Sequence, residues 1–185
     1  LLLGGGTIYG PPLSEGSEAS PSATRCAMNM LEDSSAEEEG DKAMWNPDTF
    51  RQTGGGHSGS HRWRFRFTQG HSGFDTVMSH SRILNLIPGA TYVFSSYFYV
   101  ETAVHIWPGY YHPAGFRLLL QTTYGGYERL RDITQNTYGA CTLCVDLRDE
   151  QRQWQYKSVV FVAPTNVETP KLKIDFVRSV RATKK

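Results

Sequence analysis

His61-Arg-Trp-Arg-Phe-Arg-Phe-Thr68 decides the fold class. Its residues alternate without a break: Trp63, Phe65 and Phe67 fall on one side and Arg62, Arg64 and Arg66 on the other. A period of two places these sets on opposite faces of an extended strand, whereas a helix would scatter them around its circumference. The apolar set is the expected core face. The arginine set is a soluble outer face that discourages edge pairing, or else meets an acidic partner or the chain's own acidic segment 32–41.

Outward from that stretch the pattern persists. Strand-like runs occupy Thr76–Leu86, Thr91–Glu101, Gly115–Thr123, Ala140–Leu147, Trp154–Val162 and Lys171–Arg178. Pro88-Gly89, Pro108-Gly109, Gly125-Gly126 and Pro164 supply turn chemistry between several of them. No segment carries a sustained 3.6-residue apolar stripe. The expected fold is therefore an all-β antiparallel sandwich of jelly-roll type, occupying residues 25–180. A chain of 185 residues, 39% apolar, is long enough for one such domain and short for two.

The ends read differently. Residues 1–24 hold Gly4-Gly5-Gly6 and Pro11-Pro12, followed by Ser, Glu, Ala and Pro without periodicity. They are expected to form an extended low-complexity tail that a partner chain orders. Residues 181–185 make a basic C-terminal end. The start at Leu1 carries neither Met nor a full signal peptide, as in a processed or partial product. Charge is uneven: residues 1–42 carry 8 acids and 2 bases, the remainder 10 acids and 17 bases, for a net charge of +1. So small a net charge speaks against nucleic acid as a partner, and no apolar run is long enough to span a membrane.

Three cysteines, an odd number, argue against a disulfide framework. Cys141 and Cys144 form a lone C-x-x-C in a strand-like run. Strict alternation would put them on opposite faces, so they read as ordinary buried thiols. Zinc would need two further ligands, for which only His57 and His61 of a Gly/Ser-rich stretch lie to hand. No nucleophile elbow, zincin, phosphate-loop or dinucleotide fingerprint is present, and no two carboxylates stand out as a glycosidase pair. The expected protein is not an enzyme.

The binding candidates come from strand parity. On Thr91–Glu101, Tyr92, Phe94, Phe98 and Val100 form the core side, and Tyr97, Tyr99 and Glu101 line the other. Arg117 and Gln121 are expected beside them on a neighbouring strand. His105-Ile-Trp-Pro-Gly-Tyr-Tyr-His112 adds Trp107, Tyr110 and Tyr111 on a loop, where apolar rings are costly to expose without a use. Rings stack on the apolar faces of sugars while nearby carboxylate, amide and guanidinium groups bond the hydroxyls. The same rings also serve as packing, or as a lid on the end of the sandwich.

Four pieces in order resemble the β-jelly-roll carbohydrate-binding modules associated with xylanases and cellulases, within the galactose-binding-like superfamily. Asn29-Met-Leu-Glu-Asp-Ser-Ser-Ala-Glu37 is similar to their opening N-L-L-x-x-x-S-F-E, with Trp45 after an acidic linker. Gly56-His-Ser-Gly-Ser60 resembles their H-S-G element, Leu86-Ile-Pro-Gly-Ala-Thr-Tyr their L-x-P-G-x-x-Y turn, and Trp154-Gln-Tyr-Lys-Ser-Val-Val-Phe their W-x-x-Y-x-x-x-F strand. The resemblance covers roughly residues 29–178 and implies non-catalytic glycan binding in an extracellular setting. It also implies a structural calcium held by Glu37, by carbonyls of Gly56 or Ser60, and by Asp175. Ala36 replaces the usual Phe, and the family's closing strand has no second candidate beyond Leu172–Arg178. Those departures favour an alternative: a structural subunit whose sandwich docks on other proteins within an organellar or intracellular complex, with another chain filling an open slot.

Overall fold

A computed structural model describes residues 2–10, 28–31, 45–46, 51–57, 59–65, 74–101, 110–111, 113–124, 127–132, 141–147, 151–179 and 183–184. Among these there is no helix, and every strand pairing is antiparallel. Two sheets face one another. The first orders β13 (Gln151–Val162), β8 (Thr91–Val100), β1 (Leu2–Gly10), β5 (His61–Arg64) and β4 (Arg51–Thr53), with β2 (Met28–Asn29) also on β1. The second orders β11 (Tyr127–Asp132), β10 (Pro113–Tyr124), β14 (Lys171–Ser179), β6 (Phe74–His80) and β3 (Trp45–Asn46). It also carries β12 (Leu143–Asp146) on β10 and β7 (Leu84–Asn85) on β14. A short pair joins β9 (Tyr110–Tyr111) to β15 (Thr183–Lys184).

The core is aromatic, and Phe116 of β10 is its hub. Its ring meets Phe94 and Phe98 of β8 at 5.1 and 5.9 Å between centroids, Phe176 of β14 at 5.4 Å and Trp45 at 5.7 Å. Because β8 belongs to one sheet and β10 and β14 to the other, these contacts fix which faces look inward. Edge-on and tilted pairs of this kind add about 0.5–1.5 kcal/mol each beyond area burial. Trp63 and Phe65 are buried as their alternation requires, Trp63 against Trp45 and Phe65 stacked on Phe176. Arg62 and Arg64 take the opposite parity, whereas Arg66 and Phe67 lie outside the described residues.

Three expectations need correction. Residues 2–10 are not a tail ordered by another chain: they form a strand inside the first sheet, hydrogen-bonded to β8 on one side and β5 on the other. Ile8 is fully buried, and Gly10 lies so close to the Tyr92 ring that a Cβ would collide with Cδ1 and Cε1. The glycine run hides this strand in the sequence, and the register shift between Leu3 and Gly6 is where the run interrupts the ladder. Residues 11–24 lie outside the described residues.

Second, β10 does not neighbour β8. It belongs to the opposite sheet, between β11 and β14. Third, Cys141 and Cys144 are joined by a disulfide, with their Cα atoms 5.6 Å apart. Cys141 sits ahead of β12, at a bend where Thr142 N–H donates to the Phe116 carbonyl, so strand alternation does not govern it. That separation falls in the ordinary range for a bridge.

Candidate ligand-binding face

Parity on β8 sends Tyr97, Tyr99 and Glu101 to the outer side of the first sheet, opposite Tyr92, Phe94, Phe98 and Val100, all of them buried. The partners of the two tyrosines come from β13. Tyr156 is registered directly across from Tyr97, and the rings lie 5.1 Å apart and tilted. The β13 ladder slips between Gln151 and Gln155, and Trp154 meets the Tyr99 ring edge-on at 5.5 Å. A fifth ring arrives from the turn between β4 and β5. His57 stacks on Tyr97 with centroids 3.4 Å apart and planes 16° from parallel, and stands edge-on to Trp154 at 5.6 Å. Between β8 and β5 in the sheet runs β1, whose Gly4, Gly5 and Gly6 carry no side chains.

Polar groups border the rings. Arg64 donates through Nη2 to Glu101 Oε2 at 2.9 Å, a pair half open to water. Thr7 and Ser95 share a hydroxyl–hydroxyl bond of 2.8 Å across β1 and β8. Farther along the sheet the chemistry turns aliphatic: Val160, Val93 and Tyr9 are in register across three strands, and Val162 follows at the edge. Tyr156, Val160 and Val162 are 57%, 62% and 57% exposed, a concentration of apolar surface on one edge strand and its neighbours.

The outer side of the second sheet is closed by comparison. Asp175, Gln121 and Val177 alternate with core residues and so point away from the sandwich interior, yet they are 1%, 7% and 0% exposed. Asp175 Oδ1 accepts from Ser79 Oγ at 2.7 Å and lies 3.3 Å from Lys173 Nζ, while its Oδ2 accepts from Arg117 Nη2 at 3.0 Å. Arg117, Gln121 and Asp175 are thus on one sheet, and Tyr97, Tyr99 and Glu101 on the other. Asp175 is buried in an ionic cluster with the partly exposed Arg117 and Lys173, Gln121 is buried on the same sheet, and Tyr97, Tyr99 and Glu101 are half-buried on the outer face of the first sheet.

Trp107 and Glu37 lie outside the described residues, as do the side chains of Tyr110 and Tyr111, whose backbone forms β9. Gly56 and Ser60 sit in the β4–β5 turn on the first sheet, away from Asp175 on the second. A calcium ion wants six to eight oxygens, whereas the Asp175 carboxylate already faces two cations and a hydroxyl. Of the four residues expected to hold calcium, Asp175 is thus engaged by Ser79, Arg117 and Lys173, and Glu37 lies outside the described residues. Among the described residues no group of three or more His, Cys, Asp or Glu gathers where a metal would be held.

Trp154, Tyr156 and His57 were not among the sequence candidates for this face. The first two carried a readable signal: period-two spacing of rings on a run that continues Ser158, Val160, Val162, all with the same parity. His57 gave none, because nothing local says over which strand a glycine-rich turn will fold. Among the described residues no helix is long and apolar enough to cross a membrane. No family, curated protein or solved structure matches the chain.

Proposed function

We propose that the chain is a non-catalytic binding module that takes a carbohydrate on the outer face of its first sheet. The carrying observation is the pairing of Tyr97 with Tyr156 and of Tyr99 with Trp154 across two adjacent strands, with Tyr156 more than half exposed. Such a platform offers flat apolar surface to pyranose rings, and the Arg64–Glu101 pair at its margin supplies donors and acceptors for hydroxyls. Residues at strand positions are held by the ladder, which keeps the platform rigid before any ligand arrives. The family resemblance supports the same reading.

The test is calorimetry of the full chain against cellohexaose, xylohexaose and mannohexaose, with and without calcium. Binding to at least one hexasaccharide is expected, lost in Tyr156→Ala and in Trp154→Ala while the fold is retained. A folded protein that gives no heat with any of the three counts against the reading.

A second reading, docking on another protein, draws on the other end of the same face. Val160 and Val162 are exposed on β13, which among the described residues is an edge strand of the first sheet, and an apolar edge of this kind invites another chain. In that reading the valine end is the contact surface and Val160→Lys abolishes association.

A further inference from the structure

The imidazole of His57 lies in van der Waals contact with the Tyr97 ring, so no ligand ring fits between them. Resting on the carbohydrate reading above, we infer that the limb of the β4–β5 turn from Gly54 to His57 is a lid, that His57 holds the stacking face of Tyr97 in place of the ligand, and that glycan binding displaces it. Tyr156 remains open whether the lid is shut or not.

Two independent features make this contact a poised one. The first is the backbone beneath it. Gly54 and Gly55 adopt φ of 90° and 66°, and Gly54 has nothing within 4 Å of where a Cβ would be. The turn is tied at its base, by Gly54 N–H to the Ser60 carbonyl at 2.6 Å and by Arg62 Nη1 to the Gly55 carbonyl at 3.3 Å. Beyond those ties, His57 meets the sheet through its ring contacts with Tyr97 and Trp154. A base held by two hydrogen bonds and a tip held by ring contacts with Tyr97 and Trp154 is the construction of a hinged flap, with Gly54 open enough to absorb the rotation.

The second feature is electronic. Nδ1 of His57 is buried and, among the described residues, has no hydrogen-bond partner. Stacking stabilises the closed turn, but an unsatisfied ring nitrogen in a buried position opposes it and regains water when the turn lifts. The orphaned nitrogen offsets part of the stacking, which leaves Tyr97 open to competition from a sugar that stacks on it.

The lid makes distinct demands on variants. His57→Ala removes the competitor and is expected to tighten hexasaccharide binding by about three- to tenfold. His57→Phe keeps a ring on Tyr97 and removes the orphaned nitrogen, so it is expected to bind several-fold more weakly than the parent protein. Calorimetry reads both. In parallel, NMR of the imidazole protons, assigned by their loss in His57→Ala, should show an upfield ring-current shift in the free protein that relaxes as hexasaccharide is added. Weaker binding by His57→Ala would make His57 a wall of the site and overturn the lid. So would a shift that persists at saturation. Absence of binding in the parent protein and in both variants would instead overturn the carbohydrate reading itself, and the gate with it.

Discussion

Ile8→Ala tests whether the first strand of the chain is part of the sandwich or an appendage. Ile8 is fully buried on β1, registered opposite Phe94 of β8, and its backbone N–H donates to Asn29 Oδ1 at 3.0 Å. Truncation to Ala removes three carbon groups, worth about 0.8 kcal/mol each by transfer, or roughly 2.4 kcal/mol. The cavity left among rigid aromatic neighbours adds to this, for an expected loss of about 3–4 kcal/mol. Tyr9, the next residue, points to the opposite face and is 39% exposed. Tyr9→Thr keeps a good strand former there and should cost less than about 1 kcal/mol. Urea unfolding measures both. With a slope of about 2 kcal/mol/M, Ile8→Ala should lower the midpoint by about 1.5–2 M at unchanged slope, and Tyr9→Thr by less than about 0.5 M. Near-identical midpoints for the parent protein and Ile8→Ala would refute the placement of β1, since a tail residue has no burial to lose. Equal losses at both positions would refute its parity.

Two further measurements bear on the second sheet. Asp175→Asn leaves Arg117 and Lys173 facing an uncharged amide; because both cations reach some water, the expected loss is about 2–3 kcal/mol rather than the larger cost of a fully buried orphan, read from the same urea midpoints. Reducing the Cys141–Cys144 bridge opens a very short loop, so a dithiol reductant should remove roughly 2 kcal/mol and lower Tm by about 4–8 °C, with a Cys141→Ser, Cys144→Ser double variant insensitive to the reductant.

Alternation read the faces of the strands well and their neighbours poorly, for a physical reason. Side-chain parity is a local property of extended backbone, so Trp63 and Phe65 could be assigned to the core, and Tyr97, Tyr99 and Glu101 to an outer face, from spacing alone. Which strands lie side by side depends on pairings between segments tens of residues apart. That is why Arg117 was expected beside Tyr97 and stands on the other sheet, and why Trp154 and Tyr156 take the place it was given. The strand at residues 2–10 failed for a different reason: three successive glycines carry no pattern, and its apolar content is concentrated in residues whose role appears only once β8 and β5 flank it. The cysteine bridge escaped because a residue just outside a strand does not obey the strand's period.

The insertion of β1 also shifts the balance between the two functional readings. A docking subunit was favoured by an open slot awaiting another chain and by a tail that only a partner would order. The second support weakens, because residues 2–10 pair on either side within the chain's own sheet. What remains for docking is the aliphatic end of β13, where Val160 and Val162 stand exposed. The aromatic end differs in kind. Rings there are paired across strands, bordered by an ion pair and covered in part by His57 from a glycine-containing turn. In the carbohydrate reading proposed above, a stacking ligand takes the place of His57 on Tyr97, whereas a protein docked on the valine end meets a different part of the face.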